Sequence, residues 1–394
     1  IDANVTTFLI GLIMYVLGQG PLKGFATTLM IGIASSFFSA VFITRVIVTW
    51  LTKRGDKSNV SFSMPWSKNL LANLNVDFLN KRKIAYVFSS VFIVSGLILI
   101  IFEGGLNLGV DFTGGRSYIV EFQKPVSATD LKTSLQPNFE NAGTEVKWYG
   151  SDNVVKVTTS YLISDESVVA DSTVESALIQ GISRETGLTF QPSNEPPSEN
   201  SFAIAGSSKV GATIADDIKT ASMESVIFAL IVIFIYIVIR FRKWQFGLGA
   251  VIALFHDTLF VLAAYAIVTL FGKYLEIDQV FIAAMLTIIG YSINDTVVIF
   301  DRIRENMQLK AGSPLKKVLN ESINDTLSRT LITSFTTLIV VIILLIFGGE
   351  ILRGFSFALL IGIIIGSYST IFIATPIVLD LTREKKKTLA TKSR

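Results

Sequence analysis

Residues 279–306, QVFIAAMLTIIGYSINDTVVIFDRIREN, decide the fold class. The stretch is apolar over roughly the 20 residues that a helix needs to cross a bilayer, and it ends in alternating charges. One carboxylate, Asp295, lies inside the apolar part next to Asn294. A carboxylate at bilayer depth costs at least about 3 kcal/mol on insertion scales, so it normally faces a polar partner or a water-filled path. The stretch therefore predicts a membrane protein with a polar site among its helices.

The composition of the whole chain agrees with a membrane protein. Charged residues make up 16% of the 394 residues, against about 25% in soluble proteins. A net charge of +3 is too small to suggest nucleic-acid binding. The chain has no cysteine and a single histidine, His256, which excludes multi-histidine metal sites and leaves no credible nucleophile–base pair for a hydrolase. We therefore expect neither an enzyme nor a cofactor or metal site.

Eight apolar stretches are long enough to be candidate membrane spans. They lie near 5–20, 25–50, 84–103, 222–240, 246–271, 279–300, 330–347 and 355–380. Lysine and arginine follow every second stretch, which by the positive-inside rule places both chain ends in the cytoplasm. The polar residues 104–218 then lie on the far side of the membrane. They alternate strand-like and helix-like pieces, which predicts a small α+β extracytoplasmic domain.

The same features divide the chain into six segments. These are a transmembrane hairpin at 1–52, a basic cytoplasmic linker at 53–83, a single helix at 84–103, the extracytoplasmic domain at 104–218, a five-helix membrane bundle at 219–382 and a basic cytoplasmic tail at 383–394.

An internal repeat relates residues 6–52 to residues 336–382 without a gap. Turn glycines stay in register, as Gly18 does with Gly348, and shared apolar composition alone would not produce this. Both copies have the same orientation, as in transporters built from two pseudo-symmetric halves. We therefore expect a matching block of four helices and an external domain upstream of Ile1, in the same polypeptide or in a partner. The alternative is a natural eight-helix protein with a duplicated hairpin.

Asp295 is the first candidate functional residue, either as a proton carrier or as a helix-packing carboxylate close enough to the surface to stay wet. Arg329, in SRTLITSFTTL, is expected to begin the next span. It would enter from the same cytoplasmic side as Asp295 and pair with it, because an arginine keeps its charge. An ordinary positive-inside anchor is the alternative for Arg329.

Five further polar residues accompany this pair. His256 and Asp257 lie near the middle of the fifth span, Ser292 and Asn294 flank the Asp295 turn, and Thr333 follows Arg329. An imidazole beside a carboxylate suits a proton relay. Polar side chains that fix helix packing would look the same in the sequence. Both interpretations, a proton path and a packing contact, stay open.

Several separate motifs resemble the SecD/SecF family of Sec protein-export membrane proteins. The motifs GVDFTGG, SINDTVVIFDRIREN, LSRTLITSFTTL and GGEILRGFSFALLIGIIIGSYSTIFIATP are similar to the SecF part of the family. Residues 1–45 are similar to the last two helices of the SecD part, so the chain resembles the fused SecDF form with most of its SecD half absent.

The resemblance implies a membrane fold of the resistance–nodulation–division type in the bacterial cytoplasmic membrane. It implies an accessory subunit of the Sec translocon that uses the proton motive force to promote protein export, with Asp295 as the proton-relay carboxylate and Arg329 as the relay arginine. The implied partners are the translocon channel subunits, the translocating polypeptide and a SecD-like half. The alternatives are a proton-coupled small-molecule or lipid transporter of the same fold, or a translocon scaffold that transports nothing.

Overall fold

A computed structural model describes residues 2–53, 75–165, 167–192, 197–271 and 275–382. Most of the predicted linker at 53–83 and all of the predicted tail at 383–394 lie outside the described residues. Seven helices in the described part are long and apolar enough to cross a membrane, namely Pro21–Leu51, Leu79–Phe102, Ala212–Phe241, Trp244–Thr269, Gln279–Leu309, Leu315–Phe347 and Leu352–Leu381. The first predicted span forms a shorter helix, Asp2–Leu17.

The helices and strands follow one another in the order α1 (Asp2–Leu17), α2 (Pro21–Phe38), α3 (Thr44–Leu51), α4 (Arg82–Phe102), α5 (Val110–Thr113), β1 (Gly115–Phe122), α6 (Ala128–Asn138), β2 (Thr144–Tyr149), β3 (Ser151–Thr159), α7 (Val168–Thr186), β4 (Thr189–Phe190), β5 (Ser201–Val210), α8 (Ala212–Phe241), α9 (Trp244–Thr269), α10 (Gln279–Leu309), α11 (Leu315–Phe347), α12 (Gly349–Ser369) and α13 (Thr375–Leu381).

Helix α10 occupies the centre of the helical bundle. In the most apolar 18-residue segment of α10, 72% of the residues are buried. In the corresponding segment of the helix that contains α2, none are buried. Small residues allow the neighbouring helices to come close. Gly362 of α12, for example, lies against Ile288 of α10, where an added Cβ would come within 2.4 Å of the isoleucine side chain. The stretch that predicts the fold class is therefore the helix against which the others pack.

Both copies of the internal repeat fold alike. Helix α1 ends at Leu17 and helix α11 at Phe347, which are equivalent positions. Each second helix then contains a π-helical turn, at Ser39–Ile43 and at Thr370–Ala374. In each turn a threonine hydroxyl, that of Thr44 or Thr375, donates to the carbonyl oxygen five residues earlier at 3.0 Å. The duplication seen in the sequence is thus also a duplication of backbone geometry.

Helix α11 begins earlier than predicted. We expected Arg329 to begin this helix, but the helix starts at Leu315, so that prediction is wrong. The polar stretch 315–328 is amphipathic and buries Val318, Leu319 and Ile323 against the rest of the bundle. Arg329 therefore lies well inside a continuous helix.

Residues between α4 and α8 form the predicted small α+β domain, called the external domain below. Its sheet has the strand order β2-β3-β1-β5-β4, antiparallel except for the pair β4–β5. Helices α6 and α7 supply Leu135 and Leu178 to a core that also contains Val120 and Val155 of the sheet. Strand β1 begins at Gly115, whose φ of +107° and approach to Thr159 leave no room for a side chain. The Gly-Gly turn therefore leads directly from the membrane helix α4, through α5, into the central strand.

Candidate functional site

Asp295 lies at the middle of α10, and only 4% of its surface is exposed. Its carboxylate Oδ2 accepts one hydrogen bond, from Ser367 Oγ of α12, at a long distance of 3.4 Å. The Ser367 hydroxyl also contacts Ser334 Oγ of α11 at 2.7 Å. A chain of hydroxyl groups thus joins the central carboxylate to the two helices α11 and α12.

This hydroxyl chain continues on α11. Tyr291 of α10 reaches Ser334 and Thr337 with its hydroxyl group, each at 3.5 Å. The chain of oxygen atoms therefore runs from Asp295 through Ser367 and Ser334 to Tyr291. Hydroxyl groups can both donate and accept, so such a chain can reorient when the charge of Asp295 changes.

Arg329 lies on α11, a helix that packs beside the Asp295 helix α10. No ion pair between the two side chains is found in the described part of the chain, and Arg329 is exposed on the surface of α11. The expected direct pairing is thus not observed in this arrangement of the helices.

A second buried carboxylate, Asp257 of α9, is fully hydrogen-bonded. Its Oδ2 accepts from Ser292 Oγ of α10 at 2.7 Å and from Ser369 Oγ of α12 at 2.8 Å. Its Oδ1 lies 3.0 Å from Nδ1 of His256. Only 1% of the Asp257 surface is exposed. This cluster therefore ties three helices together at one carboxylate.

The two carboxylate clusters share helices α10 and α12. Ser292 and Asp295 are one helical turn apart on α10, and Ser367 and Ser369 are two residues apart on α12. A further bond at 2.9 Å joins Thr296 to Thr370, which begins the π-helical turn. π-helical turns are frequent at functional sites, and this one lies in the contact between α10 and α12.

Of the remaining predicted residues, His256 joins the Asp257 cluster through Nδ1, whereas Thr333 and Asn294 form no side-chain hydrogen bond to either cluster among the described residues. Thr333 donates only to carbonyl oxygens of its own helix, those of Arg329 and Thr330, each at 3.0 Å. Asn294 Oδ1 and His256 Nε2 are buried without a hydrogen-bond partner among the described residues. Sequence reasoning missed Ser367, Ser369 and Thr370. The signal was present, since the run IGIIIGSYSTIFIA is otherwise apolar and is interrupted by four hydroxyl residues, Ser367, Tyr368, Ser369 and Thr370.

Comparison with known proteins relates this geometry to a family. A family model described as protein export membrane protein SecD/SecF, C-terminal, matches residues 1–54 and 193–384, and a SecD/SecF GG motif model matches residues 100–126. The chain is 44% identical to protein translocase subunit SecF of Rhodothermus marinus over 314 residues, which is 79% of this chain and 95% of that protein. It is 32% identical to protein translocase subunit SecDF of Brucella abortus, covering 98% of this chain and 48% of the relative.

A solved structure shows the same fold. The crystal structure of SecDF, a translocon-associated membrane protein from Thermus thermophilus, matches with a TM-score of 0.78 and 29% identity. The match covers 96% of this chain and 47% of that one. The expected membrane fold of the resistance–nodulation–division type is confirmed, and the chain spans about half the length of the fused relatives.

Proposed function

We propose that this chain, which belongs to the SecD/SecF family of protein export membrane proteins, promotes export by drawing on the proton motive force. An accessory role in protein export agrees with its relatives, which are named protein translocase subunits SecF and SecDF. In this proposal the chain is not an enzyme and needs no cofactor. Protons are the coupling ion, and Asp295 is the group that binds them.

One observation carries the proposal, the contrast between the two buried carboxylates. Asp257 has three hydrogen-bond partners, whereas Asp295 has a single long bond and no ion pair among the described residues. Burying an ionised carboxylate is costly unless it is paired and hydrogen-bonded. Of the two carboxylates, Asp295 is therefore the one whose ionised form is less stabilised by hydrogen bonds, so it is the one expected to bind a proton.

The remaining polar residues take supporting roles in this mechanism. A proton that neutralises Asp295 ends its attraction to Arg329 and frees the Ser367 hydroxyl to reorient towards Ser334. Because these serines lie on α12 and α11, the change alters the contacts of α10 with both helices. Each elementary charge that crosses a 100 mV potential supplies about 2.3 kcal/mol, which is enough to bias an equilibrium between two helix arrangements. Asn294, next to Asp295 on α10, and Thr333, next to Ser334 on α11, are further candidates for this proton path.

The proposal also assigns partners and an orientation. Arg329, Thr333 and Thr336 form an exposed polar strip on α11, and this strip suits a SecD-like half that would complete the relay. The basic connections Arg240–Lys243 and Arg302–Lys310 would face the cytoplasm, which places the α+β domain outside the bacterial cytoplasmic membrane. There it would meet polypeptides emerging from the Sec channel.

Export of a secreted protein into sealed vesicles, with and without a proton gradient, tests the proposal. Asp295→Asn keeps the size and a hydrogen-bonding side chain but cannot release a proton, so the gradient should no longer stimulate export. Glu305→Gln is the matched control on the same helix, because Glu305 is an exposed carboxylate paired with Arg302. Full stimulation in Asp295→Asn would refute the proton role. Gradient-coupled uptake of a small molecule would favour the transporter alternative, and a complete absence of proton flux would favour the scaffold.

A further inference from the structure

The outer end of α10 is joined to the segment that leads into the external domain. Residues 107–109, which follow α4, pair with residues 275–277, which precede α10. Gly109 N–H donates to the Ile277 carbonyl at 2.9 Å, and Ile277 N–H donates to the Asn107 carbonyl at 2.8 Å. The Asn107 side chain adds a bond to the Leu275 carbonyl at 3.0 Å. The approach to α10 and the approach to the external domain thus form one small backbone unit.

Two carboxylates cap the N-terminus of α10, and one of them comes from the segment that leads into the external domain. The first N–H groups of a helix lack partners within the helix, so acceptors at this end bind them. Asp278 Oδ1 accepts from Phe281 N–H at 2.8 Å, as an ordinary N-cap does. A second carboxylate, Asp111 of α5, accepts from Gln279 N–H at 3.1 Å. Because α5 runs directly into β1, this second cap ties the sheet to α10.

The third contact comes from the sheet itself. Lys147 of β2 and Lys156 of β3 are directly opposite each other in the antiparallel register. Like charges in this position destabilise a strand pair. Lys156 forms an ion pair with Glu276, and the two side chains are only 17% and 22% exposed. Lys147 donates to the Asn107 side chain. Glu145 of the same strand also pairs with Lys147, at 2.7 Å. Part of the compensation for the unfavourable lysine pair thus comes from Glu276 and Asn107, which lie at the outer end of α10.

Three carboxylates and one ion-paired lysine, Lys156, lie at this end of α10. Asp111, Glu276 and Asp278 all lie near the start of α10. Burial raises the pKa of Asp278 to about 6, the hydrogen bond from Phe281 opposes the rise, and the negative charges of Asp111 and Glu276 add to it. Without Lys156 the three carboxylates would repel one another. The ion pair of Lys156 with Glu276 therefore helps to hold this end of the helix against the sheet.

We propose that Lys156, Glu276 and Asp111 are positioning residues that fasten the external domain to the outer end of α10, so that a displacement of the Asp295 helix moves that domain. The inference rests on the proposed function, because Asp295 lies on the same helix, about 24 Å from its first residue at 1.5 Å per residue. Three independent contacts, a backbone bridge, a helix cap and an ion pair, meet at one helix end. Hinge motion at this joint would break them.

Charge reversal in the full-length protein tests the joint. Lys156→Glu and Glu276→Lys should each abolish the gradient-stimulated part of export, and the double exchange should restore it because the ion pair is rebuilt with opposite polarity. Lys124→Glu is the matched control, since Lys124 pairs with Glu199 on the same domain with both side chains more than two thirds exposed. Single variants that respond to the gradient as the unmodified protein does, or a double exchange that fails to recover, would overturn the proposal.

A distance measurement separates the joint from the proton chemistry. The chain contains no cysteine, so spin labels at Ser151→Cys and Leu270→Cys report one distance between the external domain and the outer end of α9. We expect a narrow distribution that broadens in Lys156→Glu and narrows again in the double exchange. An unchanged distribution in Lys156→Glu would overturn the joint. The unmodified protein could instead give a narrow distance distribution while its export does not respond to the gradient. That result would refute the proposed function, and with it the role of the joint in coupling.

Discussion

Replacement of Asp257 by alanine should destabilise the helical bundle measurably. The change removes three hydrogen bonds, from Ser292, Ser369 and His256, at a site that is 1% exposed. Hydrogen bonds between membrane helices average about 0.6 kcal/mol, with a maximum near 1.7 kcal/mol. Two of the three bonds, those from Ser292 and Ser369, join α9 to other helices, and together they correspond to about 1 to 3 kcal/mol of unfolding free energy.

The measurement is reversible unfolding in mixed detergent micelles, followed by tryptophan fluorescence. Thr258→Ala is the matched control, because the Thr258 hydroxyl donates only to the Leu254 carbonyl of the same helix, at 3.0 Å. We expect the control to change the unfolding free energy by less than about 1 kcal/mol. Asp295→Asn should not lower stability, since it replaces a buried carboxylate that has one long hydrogen bond by a neutral side chain of the same size.

Equal stability of Asp257→Ala and Thr258→Ala would refute this reasoning. It would mean that the cost of burying the Asp257 carboxylate offsets its three hydrogen bonds. The cluster would then contribute no net stability, and the proton-path interpretation of His256 and Asp257 would gain weight.

Three other predictions concern packing, charge and pH. Gly96→Ala should lower the thermal stability, because the new Cβ would lie 2.3 Å from the Cβ of Ala263, whereas Gly24→Ala meets nothing within 4 Å and should not. Arg116→Met should destabilise the external domain, since the buried Arg116 guanidinium donates to the Asp171 carboxylate and to the carbonyl oxygens of Tyr161, Leu162 and Asp165, and protease digestion should then cut that domain first. Asp278 has its pKa raised to about 6 in the folded protein. Its contribution to stability is therefore present at low pH and lost as the pH rises through about 6, a loss that Asp278→Asn should remove while keeping the helix cap.

The fold class and the central helix could be predicted from local patterns. The run QVFIAAMLTIIGYSINDTVVIF shows its membrane character within a single span, and the strands of the external domain show their alternation within a few residues each. The start of α11 could not be predicted in the same way. Hydropathy counts apolar residues, whereas 315–328 is helical through an amphipathic face that buries Leu319 and Ile323.

The site was predictable only in part, because its contacts join distant segments. Asp295 and Arg329 stand out as charges in apolar surroundings. Ser367 meets Asp295 across 72 residues of sequence, and Ser369 meets Asp257 across 112. Which hydroxyl faces which carboxylate depends on how α12 packs on α9 and α10, and no local pattern encodes that. That no ion pair joins Asp295 to Arg329 among the residues the structure describes likewise depends on the arrangement of helices.

Infrared difference spectroscopy of the full-length protein in lipid tests the central claim most directly, that Asp295 binds the proton that drives export. Acidification should produce a carbonyl stretching band of a protonated, buried carboxyl group. The band should be absent in Asp295→Asn and unchanged in Glu305→Gln. A band of the same intensity in Asp295→Asn would show that another group binds the proton and would contradict the account.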